Sequence, residues 1–169
     1  MRRGLAGLGA VVLGAGLLVG CGSEEYSASK VCGVDTDLVA AVVGDRDFTV
    51  NESDTKLPLK ADAPSSQTPY FCSVREDDED VVKVDVTIAS QDVIDTRAQA
   101  IEEAETSFKV AEGTGAVRPD PDDDDFEGLW QCGSTSVRVR GPLDDDGAVE
   151  DAQALVEGFA EQAGCEQAP

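Results

Sequence analysis

The sequence predicts an α+β domain: an antiparallel sheet with helices packed on one face, in the order α-β-β-β-α-β-β-α, held by two disulfides. Three observations predict it. Val82, Val84, Val86 and Ile88 alternate with Lys83, Asp85 and Thr87, the period-two pattern of a strand with one buried face. Two segments, Thr96–Ala111 and Ala148–Ala163, instead return an apolar residue every three or four positions, as an amphipathic helix does. Four cysteines, Cys32, Cys72, Cys132 and Cys165, fall inside the region that carries these patterns.

Each element has its own local signal. Asp35–Gly44 reads as a short helix, with Asp35 placed to cap its start and Gly44 to end it. Phe48–Val50 reads as a short strand. Asn51–Pro69 is a long polar loop with Pro58, Pro64 and Pro69; connections of that length are usually functional or disordered. Tyr70–Val74 is the next strand, with Tyr70, Cys72 and Val74 on one side. The turn Arg75–Asp80 leads into Val82–Ile88.

Ala98, Ile101, Ala104, Phe108 and Ala111 make the stripe of the second helix, which Gly113-Thr114-Gly115 is expected to end. Arg118–Asp125 is read as a loop. Phe126–Cys132 and Thr135–Arg140 form a hairpin about Gly133-Ser134, with Val137 and Val139 facing one way and Arg138 and Arg140 the other. The last helix carries Val149, Ala152, Val156, Phe159 and Ala163 on one stripe. A cysteine-bearing strand, a second strand and a helix thus occur twice, which suggests a repeated ββα unit.

The amino terminus has a different character. Met1-Arg2-Arg3 precedes seventeen residues, Gly4–Gly20, drawn only from Gly, Ala, Leu and Val, six of them glycine. A positive end, an apolar stretch and small residues before a cut form the layout of an export signal. The run is barely long enough to span a bilayer, its glycines weaken a helix, and Glu24 and Glu25 follow instead of a basic stop. Leu18-Val19-Gly20-Cys21 resembles the lipobox of bacterial lipoproteins. The resemblance implies cleavage before Cys21 and attachment of diacylglycerol to its thiol, and more than one acyl chain gives stable anchoring. The expected organisation is a signal peptide at 1–20, a lipidated amino terminus and flexible tether at 21–30, and one extracytoplasmic domain at 31–169. With its acidic loops and early Cys32–Gly44 segment, the chain also resembles small actinobacterial lipoproteins of unknown function.

With Cys21 assigned to the lipid, an even four cysteines remain in an exported chain, which reads as disulfides. Three pairings are open; Cys32–Cys72 with Cys132–Cys165 is favoured, each tying a helix end to a strand.

Composition excludes several functions. The net charge is −22, and loss of residues 1–20 leaves 11 cations against 35 carboxylates. Such a chain repels nucleic acid and anionic head groups, so the membrane contact expected is through Cys21 alone. There is no histidine, which rules out Ser-His-Asp and Cys-His catalysis and the commonest metal ligand. Asp120 with Asp122–Asp125, and Asp144–Asp146 with Gly147, lack the alternating spacing of a calcium loop and read as solvated acid. The single tryptophan, Trp130, shares a strand face with Phe126 and Cys132 and reads as core.

No catalytic residue, metal or cofactor is therefore expected. The expectation is a non-enzymatic binding module at the extracytoplasmic face of the cell membrane, serving an envelope protein, wall component or small ligand. Its alternative is a carboxylate-dependent envelope hydrolase. The Asn51–Pro69 and Arg118–Asp125 loops are the first places to seek a docked partner.

Overall fold

A computed structural model of the chain describes residues 29–44, 47–59, 69–104, 106–120, 124–143 and 148–165. The signal segment, Cys21, most of the tether, residues 60–68 of the long loop, 121–123 and 144–147 lie outside the described residues.

A two-residue hairpin, β1 (Lys30–Val31) and β2 (Val34–Asp35), opens the fold and leads into helix α1 (Thr36–Val43). Asp35 is the N-cap residue as expected but makes no side-chain cap bond; Gly44 ends the helix at φ 74°. The chain continues through β3 (Thr49–Glu52), β4 (Tyr70–Glu76), β5 (Glu79–Ile88), α2 (Gln91–Glu102), β6 (Thr106–Val110), β7 (Gly113–Asp120), β8 (Asp125–Cys132), β9 (Thr135–Pro142) and α3 (Ala148–Ala163). Seven strands form one sheet in the order β3-β4-β5-β9-β8-β7-β6, and every neighbouring pair is antiparallel. The α+β class with an antiparallel sheet holds, and the expected elements occur in the expected order, with hairpin β6–β7 set between the second helix and the final strand pair.

That hairpin corrects the reading of Thr96–Ala111 as one helix. Helix α2 starts five residues earlier, at Gln91, and stops at Glu102. Phe108, counted in its stripe, belongs to β6, where it alternates with Ser107 and Lys109. Gly113-Thr114-Gly115 does not terminate a helix; it opens β7. The glycines are there for space. A Cβ on Gly113 would lie 2.4 Å from Trp130 Cε2, so the indole occupies the volume a side chain would need. Arg118–Asp120, expected in a loop, are the last residues of β7 and pair with β8.

One face of the sheet carries the main core. Tyr70, Cys72 and Val74 of β4, Val82, Val84 and Val86 of β5, Val137 and Val139 of β9, and Phe126 and Trp130 of β8 are all buried there. Ile88, expected to continue that stripe, lies at the end of β5 and is 38% exposed. Helix α3 covers this face with Ala152, Leu155, Val156, Phe159, Ala160 and Ala163, and α1 packs on α3 with Val39, Val42 and Val43. Burying each of the larger side chains contributes about 1.5–3 kcal/mol. Gly128 of β8 admits α3 closely, since a Cβ there would stand 2.2 Å from Val156 Cγ2.

The expectation that helices share one face holds for α1 and α3 and fails for α2. Ile101 of α2 packs against Ala116 and Leu129, which point away from the main core, and forms a separate small cluster with Ala100 and Ala104. The reason is steric: the inner face is already filled by α1 and α3, and only the outer face offers apolar ground, at Ala116 and Leu129. The helices of the two ββα units therefore lie on opposite sides of the sheet.

Both disulfides join the favoured partners. Cys32–Cys72 spans Cα atoms 5.9 Å apart and Cys132–Cys165 spans 5.1 Å, within the usual range. The second ties the end of α3 to β8. The first ties the β1–β2 turn, not a helix end, to β4. Beside it the buried Tyr70 hydroxyl donates to the Cys32 carbonyl at 3.0 Å. Burial, and after it the negative charge of Glu52, raise the pKa of this phenol.

Candidate functional site

The outer face of the sheet collects what the core face excludes. Strands place successive side chains on opposite sides, so a valine at one position sends its neighbours outward. In β5 this puts Lys83, Asp85 and Thr87 outside; in β9 it does the same for Ser136, Arg138 and Arg140. The same parity places Arg75 of β4, Lys109 of β6 and Arg118 of β7 on that side. All six cations carried by the seven strands therefore share one face, in a chain whose net charge is −22. Five carboxylates stand among them: Asp80, Asp85, Asp120, Asp125 and Glu127.

Register arranges these groups in rows across the strands. One row runs Arg118–Glu127–Arg140–Lys83–Ser73–Asn51 from β7 to β3. The next runs Ala116–Leu129–Arg138–Asp85–Phe71. Helix α2 lies over the Ala116–Leu129 end of the second row and leaves its other end open, where Phe71 is 38% exposed. Arg97 of α2 reaches across to donate a hydrogen bond from Nη1 to the buried Ser136 hydroxyl. It thereby enters the same cluster as a seventh cation.

Glu127 is the hub of the cluster. Arg138 Nε donates to its Oε1 at 2.6 Å, Arg138 Nη2 pairs with the same oxygen, and Arg140 Nε lies 3.7 Å away. Lys83 is 3.5 Å from Asp80, which also pairs with Arg75 at 3.1 Å. Cation still faces cation at one register position. Lys83 and Arg140 are direct partners in the β5–β9 ladder, an arrangement that destabilises a sheet. Burial lowers the pKa of Arg97, and the Arg138 charge lowers it further, while Glu127 and Asp85 act in the opposite direction.

Trp130, Tyr70, Phe126 and Phe159 are buried in the core, as expected of Trp130. Of the two loops singled out for docking, Asn51 and Glu52 belong to β3, and Arg118–Asp120 and Asp125 belong to β7 and β8, so neither is a free loop throughout. The alternation that exposes Lys83, Arg138 and Arg140 is legible in the sequence. Their adjacency is not, because β5 and β9 are about fifty residues apart in the chain and become neighbours only through the sheet order. No helix among the described residues is long and apolar enough to cross a membrane. No family model, curated protein or solved structure matches the chain.

Proposed function

We propose that the chain is a lipoprotein anchored through Cys21 at the extracytoplasmic face of the cell membrane, and that its folded part is a non-enzymatic binding module. The observation that carries the reading is the pairing of cysteines. Cys32–Cys72 and Cys132–Cys165 use all four cysteines downstream of Cys21, so the odd fifth is the one at the end of Leu18-Val19-Gly20-Cys21. Two disulfides suit an exported domain, and an unpaired cysteine in that setting suits the attachment of lipid.

The binding reading rests on the outer sheet face, where α2 covers one end and charged groups stand open at the other. Trp130, Tyr70, Phe126 and Phe159 pack the core instead of lining a surface cleft, which favours binding over sugar hydrolysis by paired carboxylates.

Mass spectrometry of the protein extracted from membranes tests the anchor. The expected mature chain begins at a lipidated Cys21; a mature chain retaining Met1–Gly20 would sink the reading. Crosslinking in cells tests the module, with a discrete partner expected. Turnover of an envelope polysaccharide by the purified protein would replace the module with the hydrolase.

A further inference from the structure

The seven strands set six cations beside five carboxylates on the outer face, in a protein that has carboxylates in large excess. Around the centre, Lys83, Arg97, Arg118, Arg138 and Arg140 stand about Glu127, Asp85 and Asp80, the last of these 3.5 Å from Lys83. With 35 acidic residues against 13 basic ones, a fold that needed only structural ion pairs would have little reason to set Lys83 opposite Arg140. A like-charge pair on neighbouring strands costs stability unless an anion joins it.

The shape of the surplus limits the anion. Strands lie about 4.8 Å apart, so the Arg140–Lys83 pair and the Arg138 next to it sit within reach of one group. A phosphate offers three terminal oxygens and up to two charges at one centre, and guanidinium forks match it well. A carboxylate offers one charge, and Glu127 already supplies one. The net charge of −22 bears on size. Long polyanions and anionic bilayers meet repulsion from the rest of the domain, whereas a small ligand is screened from it beyond about 8 Å at physiological ionic strength.

We propose that Lys83, Arg138 and Arg140, flanked by Arg97 and Arg118, bind a small phosphate-bearing ligand on the open face beside α2. The proposal rests on the binding-module reading and gives that module its ligand class.

The test is calorimetric titration of the full chain with inorganic pyrophosphate at constant ionic strength set by chloride, with tricarballylate as the carboxylate arm. Saturable pyrophosphate binding is expected. It should weaken about tenfold or more in Lys83→Gln and in Arg140→Gln, as loss of a charged partner does. Lys56→Gln, a cation on the chain after β3, should leave it unchanged. Glu127→Gln is the decisive variant: it removes the carboxylate that competes for Arg138 and Arg140, so affinity should rise, whereas a purely structural ion-pair lattice would only lose stability. Circular dichroism confirms that each variant is folded. Overturning results are absence of saturable pyrophosphate binding, equal weakening by Lys56→Gln, lower affinity in folded Glu127→Gln, or saturation by tricarballylate alone. A discrete crosslinked partner found together with any of these would leave the module standing and remove only the phosphate ligand.

Discussion

Gly113 and Trp130 should be energetically coupled, because the hairpin β6–β7 closes only if the indole has the space that a side chain at 113 would take. In Gly113→Ala the new Cβ falls 2.4 Å from Cε2 and 2.5 Å from both Cζ2 and Nε1 of Trp130. Carbon atoms rest at about 3.5–4.0 Å, so the overlap is roughly 1 Å on three atoms at once. Trp130 has no easy retreat: it is fully buried, and Nε1 donates to the Val110 carbonyl at 3.3 Å. Overpacking of this kind costs about 1–3 kcal/mol, and turning the indole away forfeits a hydrogen bond worth about 1 kcal/mol. Trp130→Phe alone loses buried surface and that hydrogen bond, at about 2 kcal/mol. It also removes the pyrrole nitrogen and the fused-ring atoms that the alanine would strike. The double variant should therefore cost at least about 1 kcal/mol less than the two single costs added, well outside the few tenths expected of independent sites. Urea unfolding with disulfides intact measures this, followed by far-ultraviolet circular dichroism because Trp130 is the only tryptophan. Costs that simply add would refute the claim that this glycine exists to admit the indole.

Three further outcomes are expected. Replacing Cys132 and Cys165 together by serine opens a link of sequence separation 33, which in the chain-entropy picture costs about 4 kcal/mol; a loss under about 1 kcal/mol in denaturant titration would contradict it. Tyr70→Phe should destabilise the protein near neutral pH by about 1–3 kcal/mol, since it leaves the buried Cys32 carbonyl without its donor. The phenol has a higher pKa folded than unfolded, so its stabilisation is complete below the unfolded value of 10.0 and is lost as pH rises above it. The stability gap between wild type and Tyr70→Phe should narrow in that alkaline range and stay constant between pH 6 and pH 9; a gap that narrows below pH 9 would count against this. Amide hydrogen exchange should strip α2 before α3, because α2 buries only Ile101 whereas α3 buries six residues, and equal protection of the two helices would be inconsistent with this packing.

Much of the fold is legible in the chain because its signals are local. The β5 alternation, the Gly133-Ser134 turn, the Gly44 helix end and the α3 stripe each depend on residues within a few positions of one another. The error over Thr96–Ala111 has a physical cause. Ala98, Ile101 and Ala104 repeat with helical spacing, and Phe108 happens to continue the series, yet Phe108 is drawn into a strand by Gly115 opposite it, where a Cβ would strike its ring at 2.4 Å. That partner becomes visible only when Trp130 and Leu129 have already built the neighbouring strand.

By itself, the sequence determined the class of the domain, its membership of cysteines in two pairs, the outward aim of Lys83, Arg138 and Arg140, and the acidic net charge. Periodicity, parity and charge are properties of neighbouring residues, so they survive without a fold. The tertiary structure alone decided which side of the sheet α2 takes and that the outward cations of separate strands form one cluster around Glu127. Those outcomes depend on sheet order and on competition for a core face already filled by α1 and α3, and no stretch of chain contains either.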